Sequence, residues 1–242
     1  MLKIYALLKT VLHSCLAYKQ SVSHPGKCRL VFRSDEVQVI CASVNFKQLP
    51  SKDFPGNTTD LSVRFSNLSS ITSDDLKILS HLRQLSLIRN QLRTLPADLL
   101  LGLSNLHALY LENNRLKSLA ASAFIGNPNL RQMFLSGNRL ESLPAGIFLK
   151  QDELVFLDLR NNYLQNLTPG TLDGRLYAVL SGNPWHCNSS LAYLWHWLRM
   201  NKKRIVHDDT ITCQTPEHMK GRNITEIAAA ELCVLRNPLC VL

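Results

Sequence analysis

The chain has 242 residues and a formal net charge of +9, which makes it moderately basic. After its first residues, no stretch reaches the ~18 apolar residues that a membrane-spanning helix needs. It contains no G-x-S-x-G motif, no H-E-x-x-H motif and no glycine-rich phosphate-binding loop, and its histidines are scattered. We therefore expect neither a membrane-spanning protein nor an enzyme, and no cofactor.

The N-terminus resembles a secretory signal peptide, with a basic start followed by an apolar run that Lys9 interrupts. Cleavage between Ala17 and Ser23 would remove Cys15 and leave the other cysteines in the mature chain. Residues 1–23 are therefore assigned to a signal peptide without a fixed cleavage site. The mature chain is expected to be secreted and extracellular.

Cys28 and Cys41 mark the next predicted element. Between them, Val37 and Val39 alternate with polar residues, which is typical of a short β-strand. We expect a hairpin with a disulfide between the two cysteines, as in proteins of oxidising compartments. Residues 24–57 are assigned to an N-terminal cap over the segment that follows.

A leucine pattern recurs every 24 residues through the middle of the chain. Copies of L-x-x-L-x-L-x-x-N-x-L begin at Leu82, Leu106, Leu130 and Leu154. A fixed period of this kind is typical of a leucine-rich-repeat solenoid, in which each repeat adds one strand to a concave parallel sheet. With weaker copies at both ends, residues 58–180 hold about five repeats and a truncated strand. The predicted fold is an α/β horseshoe with disulfide-bonded caps at both ends.

Each repeat carries an asparagine at the point where the chain leaves its strand. There a side-chain amide can satisfy backbone groups that have left the sheet, and equivalent amides stack from one repeat to the next. We expect a structural asparagine ladder formed by Asn90, Asn114, Asn138, Asn162 and Asn183.

Residues 181–232 are assigned to a C-terminal cap. One helical face is predicted from the spacing of Leu191, Leu194, Trp195 and Leu198. We pair Cys187, which directly follows the last strand, with Cys213. Zinc bound by Cys187 together with His186, His196 or His207 is the competing interpretation. No C-x-x-C or H-x-x-x-H spacing supports it, so no metal is expected.

Residues 233–242 form a tail that contains the last two cysteines, Cys233 and Cys240. These cysteines could close a small loop, bridge two chains or stay free. The sequence leaves these alternatives open.

The surface of the chain carries potential modification sites and one short basic run. N-x-S/T sequons, which mark glycosylation in secreted proteins, occur at Asn57, Asn67, Asn166, Asn188 and Asn223. The basic run is Lys202–Arg204. It is interpreted as a solvated helix end, with weak binding of a heparin-like polysaccharide as the alternative. Nucleic acid is a poor partner for a secreted, disulfide-capped solenoid.

The candidate binding surface consists of the strand residues that alternate with the core leucines and face outward. Aromatic side chains are concentrated there, with charged residues around them, as in a protein-interface hot spot. The predicted partner-binding residues are Arg89, Tyr110, Glu112, Arg131, Phe134, Phe156, Asp158 and Arg160. The alternative is that the rings stack only to shield the sheet.

Three segments resemble the leucine-rich alpha-2-glycoprotein family. They are residues 28–41, residues 60–68 and a cap pattern that includes residues 181–185, Cys187, Trp197-Leu198 and Cys213. This resemblance implies a secreted glycoprotein that modulates growth-factor signalling by engaging receptors of the transforming growth factor beta system. The chain has fewer repeats than mammalian members and continues into its own cysteine-containing tail. The alternative function is innate-immune pattern recognition or matrix adhesion through the same face.

Overall fold

The computed structural model describes residues 21–23, 28–46, 48–172, 175–206 and 210–232. In this part of the chain, one nine-stranded sheet follows the order of the sequence. Its strands are β1 Ser21–Ser23, β2 Cys28–Phe32, β3 Val37–Ala42, β4 Asp60–Arg64, β5 Gln84–Ser86, β6 Ala108–Tyr110, β7 Gln132–Phe134, β8 Phe156–Asp158 and β9 Tyr177–Val179. The first three strands are antiparallel, and β3 to β9 run parallel. The predicted solenoid with a parallel sheet is confirmed.

The register of the sheet explains why the leucine period specifies this fold. Strand pairing aligns equivalent repeat positions, so that Leu85 lies beside Leu109, which lies beside Met133. All three side chains are fully buried. Because side chains alternate across a strand, the core leucines point inward and their neighbours point outward. Each repeat therefore extends the core of the previous one.

In each repeat, the segment that connects one strand to the next along the convex side consists mostly of turns rather than helix. We call these the returning segments. Within the described repeats, the α-helix is the single turn α1, Ser73–Leu76. Elsewhere one large apolar side chain per turn closes the core, such as Phe124, which is fully buried and stacks on Phe148 at 6.0 Å between ring centroids. The convex wall therefore depends on side-chain packing rather than on a helical backbone.

The ladder asparagines lie under the point where each strand ends, and all five are buried. Asn138 is representative. Its Nδ2 donates to the carbonyls of Leu111 and Leu135, at 2.9 and 3.0 Å. Its Oδ1 accepts from the amide of Leu116 at 3.1 Å. Because these partners belong to neighbouring repeats, each asparagine joins its own turn to the one before it.

A second amide row lies on the returning side and was not predicted. Asn127 Nδ2 donates to the carbonyls of Leu100 and Leu103, both at 3.0 Å. One repeat later, Gln151 Nε2 donates to the carbonyl of Phe124 at 2.7 Å. Both side chains are buried, so they satisfy backbone groups that water cannot reach.

The N-terminal cap is the expected hairpin. Cys28 and Cys41 face each other across β2 and β3 and form a disulfide, with a Cα–Cα distance of 4.2 Å. Strand β3 then pairs in parallel with β4, so the hairpin continues the sheet and covers the first repeat. Its Val39 side chain is fully buried against the repeat core.

The C-terminal cap closes the other end of the core. Its elements are β10 Trp185–His186, the cap helix α2 Ala192–Met200, β11 Cys213–Thr215 and the short helix α3 Ala229–Leu232. Cys187 and Cys213 form the predicted disulfide, with a Cα–Cα distance of 5.7 Å, which leaves neither thiol for zinc. Trp185 is fully buried, and its indole nitrogen donates to the carbonyl of Leu180 at 3.2 Å.

Some predictions concern residues outside the described part of the chain. They are the signal sequence up to residue 20, Cys15, His207 and the tail cysteines Cys233 and Cys240. Ser21–Ser23, which the sequence analysis included in the signal segment, form strand β1 against β2. No helix among the described residues is both long and apolar enough to cross a membrane.

Candidate functional site: the concave face

The outward residues of the strands, together with those just after the strand ends, form three rows across the concave face. Strand register places Ser62, Ser86, Tyr110, Phe134, Asp158 and Val179 in the middle row, one on each of β4 to β9. Small side chains occupy its first half and aromatic rings its centre. The face therefore has a hollow beside a raised apolar ridge.

The raised ridge is a stack of three aromatic rings, which we call the aromatic ridge. Tyr110 and Phe134 stack with 4.8 Å between centroids and 9° between ring planes. Phe156 lies on the other side of Phe134, at 5.1 Å and a 38° tilt. All three rings are partly exposed. The structure thus brings together the three aromatic residues that the sequence analysis selected.

Next to the aromatic ridge is a hollow of about 630 Å³ over strands β3 to β6. It exists because Ser62 and Ser86 fill the row positions that aromatic rings occupy further along. Its lining includes Ile40, Asp60, Ser62, Arg64, Ser86 and Glu112. One wall is the ring of Tyr110.

Two buried polar atoms in the hollow have no hydrogen-bond partner among the described residues. They are Ser62 Oγ and Glu112 Oε2. Burial raises the pKa of the Glu112 carboxyl, and the nearby Asp158 carboxylate raises it further. Burial also raises the pKa of Asp60 at the opposite end of the hollow. Both oxygens are covered by neighbouring side chains, so a ligand in the hollow can donate to them only when those side chains move aside.

Asp158 was predicted to belong to an exposed rim of charged residues, but the structure buries its side chain. Its side chain is only 2 % exposed because it lies beneath Arg160. Arg160 Nη2 donates to Asp158 Oδ2 at 2.7 Å, and Arg160 Nε donates to Oδ1 at 3.1 Å. Arg160 is therefore the side chain that a partner would meet, and Asp158 holds it in place.

Arg89 and Arg131 lie beyond opposite ends of the strands. Arg89 follows β5, and its guanidinium carbon lies 5.1 Å from the ring centroid of Phe65. Arg131 precedes β7 and forms an exposed ion pair with Glu153, with 3.6 Å between Nη2 and Oε2. Arg131 also lines a hollow of about 620 Å³ together with Tyr110, so it lies beside the aromatic ridge.

The sequons and the basic run lie outside the centre of the concave face. Asn57, Asn67 and Asn166 are exposed, whereas Asn188 and Asn223 are partly buried. The last two accept hydrogen bonds through Oδ1 from Ser190 and Thr225 respectively. In the basic run, Lys202 and Lys203 are exposed, but Arg204 donates to the Arg175 carbonyl and stacks on Tyr177.

The hollow with Ser62, Arg64 and Asp60 was not predicted, because the predicted binding residues were aromatic and charged residues of the later repeats. The signal was present in the repeat register. Ser62 and Ser86 occupy the same repeat position as Tyr110, so the alignment itself predicts a gap beside the ring.

Comparison with known proteins supports the repeat assignment. A family model described as leucine rich repeat matches residues 56–116, 80–140, 104–164 and 128–175. A phospholipase A2 inhibitor of Gloydius brevicaudus siniticus is 33 % identical over 54 residues, which is 22 % of this chain and 16 % of that protein. Carboxypeptidase N subunit 2 of Mus musculus is 35 % identical over 60 residues, which is 25 % of this chain and 11 % of that protein.

A third relative is leucine-rich repeat-containing protein 17 of Mus musculus. It is 40 % identical over 45 residues, which is 19 % of this chain and 10 % of that protein. The matched stretch therefore spans 16 % or less of the length of each of these relatives. The similarity concerns the repeats and not the whole of any relative.

Proposed function

Because this chain belongs to the leucine-rich-repeat family, we propose that it is a secreted, non-catalytic protein that binds a protein partner on its concave face. The observation that carries the proposal is the partly exposed stack of Tyr110, Phe134 and Phe156 beside a polar hollow. The two disulfides of the caps are typical of proteins in oxidising compartments, which supports secretion.

The aromatic ridge has the properties of an interface hot spot. Rigid aromatic side chains lose little conformational entropy on binding and bury a large apolar area, so they dominate many protein interfaces. Arg160 lies beside the ridge, where a partly exposed charge contributes orientation and association rate more than affinity. An apolar centre with charged neighbours therefore favours a protein ligand over a small metabolite.

The hollow supplies the polar part of the interface. An unpartnered buried oxygen costs free energy, and a donor from a partner would recover it. Ser62 Oγ can accept one such hydrogen bond and Glu112 Oε2 another, once the side chains that cover them move aside. We infer that the partner inserts a lysine, arginine or amide side chain into the hollow while an apolar group covers the aromatic ridge.

The partner class follows from resemblance and not from the geometry. The resemblance to leucine-rich alpha-2-glycoproteins supports a receptor of the transforming growth factor beta type as the partner. The relatives named as a phospholipase inhibitor and as a carboxypeptidase subunit also carry names that denote action on, or assembly with, another protein. The alternative function is recognition of a microbial or matrix ligand by the same concave face.

Secretion and glycosylation belong to the same proposal. The amide nitrogen of a sequon asparagine carries the sugar, and Asn57, Asn67 and Asn166 are exposed. Since β1 begins at Ser21, we expect the signal peptide to be cleaved before that residue. Mass spectrometry of the secreted chain measures both features. A mature N-terminus after Ser21, or a chain without N-linked sugar, would contradict this part of the proposal.

The proposal is tested by affinity capture with the secreted protein from serum and from detergent-solubilised cell surfaces. Two variants are compared with the wild type: Phe134→Ala on the aromatic ridge, and Tyr163→Ala, an exposed aromatic residue (57 %) outside the concave face. We expect both the wild type and Tyr163→Ala to capture a receptor of the growth-factor class, and Phe134→Ala to lose it.

The outcomes of this capture separate the two functions. A microbial glycolipid or matrix ligand that Phe134→Ala fails to capture would favour the alternative function. Equal capture by all three proteins would remove the concave face from the proposal. Turnover of a substrate by the purified chain would contradict the non-catalytic assignment.

A further inference from the structure

One edge of the solenoid carries a basic surface that the linear sequence does not reveal. After each ladder asparagine the chain descends from the sheet, and backbone hydrogen bonds join the descending segments of successive repeats. The amide of Arg115 donates to the Leu92 carbonyl at 2.8 Å, and that of Arg139 donates to the Leu116 carbonyl at 2.9 Å. Residues 24 positions apart are therefore neighbours, at about the 4.8 Å spacing of parallel strands.

This register collects four cations, which we call the basic flank: Arg93, Arg115, Lys117 and Arg139. Arg115 is partly exposed and the other three are exposed. None of them forms an ion pair within the described residues. Glu141 is an acidic residue in the equivalent position of the next repeat. The flank thus presents four solvent-accessible positive charges that form no ion pair among the described residues, with one carboxylate, that of Glu141, beside its C-terminal end.

Polar groups that suit an anionic ligand lie beside these cations. Thr94, Ser118 and Ser142 occupy one repeat position and are all exposed, so their hydroxyls form a row parallel to the charges. At the C-terminal end of the flank, a hollow of about 420 Å³ is lined by Lys117, Arg139, Glu141, Tyr163, Gln165 and Pro184. The exposed sequon residues Asn67 and Asn166 stand at the two ends of this strip.

We propose that the basic flank binds a linear sulfated glycosaminoglycan that lies along the solenoid axis. A strip of cations that extends over three successive repeats is complementary to a polymer with repeated anionic groups, and the hydroxyl row can donate to sulfate oxygens. The disulfides are typical of oxidising compartments. In the secreted state that the proposed function assigns to the chain, such polysaccharides rather than nucleic acids are the available polyanions. The basic flank is separate from the concave face, so both ligands can be bound together.

The basic flank fits this ligand better than Lys202–Arg204, the consecutive basic run. In that run the Arg204 guanidinium is engaged with the Arg175 carbonyl and the Tyr177 ring, which leaves two exposed lysines. The run therefore supplies a control of equal charge. Arg115→Gln/Arg139→Gln and Lys202→Gln/Lys203→Gln both remove two positive charges from an accessible surface.

The test measures binding of the secreted protein and the two double variants to immobilised heparin over a range of salt concentrations. For Arg115→Gln/Arg139→Gln, we expect affinity to fall at least tenfold. The slope of log affinity against log salt should fall by between about 1 and 2, because two counterion-releasing contacts are lost. The control should stay within about twofold of the wild type, and Phe134→Ala should bind heparin normally. Thermal unfolding verifies that each variant is folded.

Equal losses in the two double variants would mean that net charge alone drives binding and would overturn the proposal. The proposal would also fail if Lys202→Gln/Lys203→Gln lost more affinity than the flank variant. Competition with desulfated heparin, polyglutamate, single-stranded DNA and phosphatidylserine vesicles tests the ligand class. If any of these competes as well as heparin, the assignment to a sulfated polysaccharide is wrong.

Discussion

At the residue scale, the buried amide of Asn138 stabilises three backbone groups that water cannot reach. In Asn138→Ala, these groups lose their partners, and each buried unsatisfied group costs about 1 kcal/mol or more. We expect the free energy of unfolding to fall by on the order of 3 kcal/mol, measured by chemical denaturation. Asn129→Ala is the control, because the Asn129 amide donates to the Ser104 carbonyl at an exposed position. A similar loss in both variants would contradict the role of the ladder.

Glu112 provides a pH-dependent prediction. Burial, followed by the field of Asp158, raises the pKa of its carboxyl, whereas Arg64 and Arg160 lower it. The folded state therefore binds more protons than the unfolded state between the ordinary and the raised pKa. Stability must fall as pH rises through that window. Glu112→Gln removes this dependence and should be more stable than the wild type at neutral pH.

The measurement for Glu112 is denaturation of both proteins at a series of pH values. The wild-type stability should decline relative to Glu112→Gln as pH rises above the ordinary glutamate range. Asp60, whose pKa burial also raises, titrates in both proteins and cancels in the difference. Parallel curves, or a wild type that gains stability over this range, would show that burial does not control Glu112.

Residues at periodic positions could be predicted from the sequence, whereas residues whose environment depends on one specific contact could not. The periodic leucines and asparagines were predictable because every repeat imposes the same environment on them. Asp158 was not, because its burial depends on Arg160 folding back over it. In the cap helix, Trp195 is partly buried and packs against the core, whereas Trp197, which the predicted apolar face did not include, is the more buried residue at 5 % exposed. Trp195 also donates to the Ile227 carbonyl and stacks under Arg199, contacts that helix periodicity cannot reveal.

At the element scale, the C-terminal cap should control the stability of the repeat beneath it. In Cys187→Ser/Cys213→Ser, the lost loop constraint costs about 3 kcal/mol. Because stability in a solenoid passes between neighbouring repeats, β9 should open first and β5 last. Hydrogen exchange with mass spectrometry measures this order. We expect faster exchange at Tyr177–Val179 with little change at Gln84–Ser86.

The N-terminal disulfide gives the matched control for the cap experiment. Cys28→Ser/Cys41→Ser should open β3 and β4 instead and leave β9 protected, because the two caps contact opposite ends of the core. Uniform loss of protection along the chain in both variants would show that the solenoid unfolds as one unit. The nearest-neighbour account of the caps would then be wrong.

Elements were predictable where a pattern of several residues specifies them. The strands, the hairpin and the cap helix each have a repeating apolar position, and all are present. The backbone conformation of the returning segments could not be predicted, because one buried side chain per segment, such as Phe124, is compatible with either a helix or a turn. The second amide row was missed because its three successive positions hold Leu103, Asn127 and Gln151, which share no residue type.

At the scale of the whole molecule, register turns a one-dimensional repeat into surfaces. The aromatic ridge was predictable since Tyr110 and Phe134 share a repeat position, and alignment of the repeats places them side by side. The basic flank follows from the same rule but was missed, because its cations come from three successive repeats and form no consecutive run in the sequence. The surfaces of a solenoid are therefore predicted by aligning the repeats and comparing the residues that share a repeat position.

The central claim is that the aromatic ridge binds a partner instead of stabilising the sheet. The most direct measurement is the equilibrium affinity of Phe134→Ala for the captured partner, taken together with its melting temperature. We expect affinity to fall by about 2 kcal/mol, or roughly 30-fold, with a nearly unchanged melting temperature. Tyr163→Ala should keep wild-type affinity. A large fall in the melting temperature of Phe134→Ala with intact affinity would contradict the account and assign the rings to the scaffold.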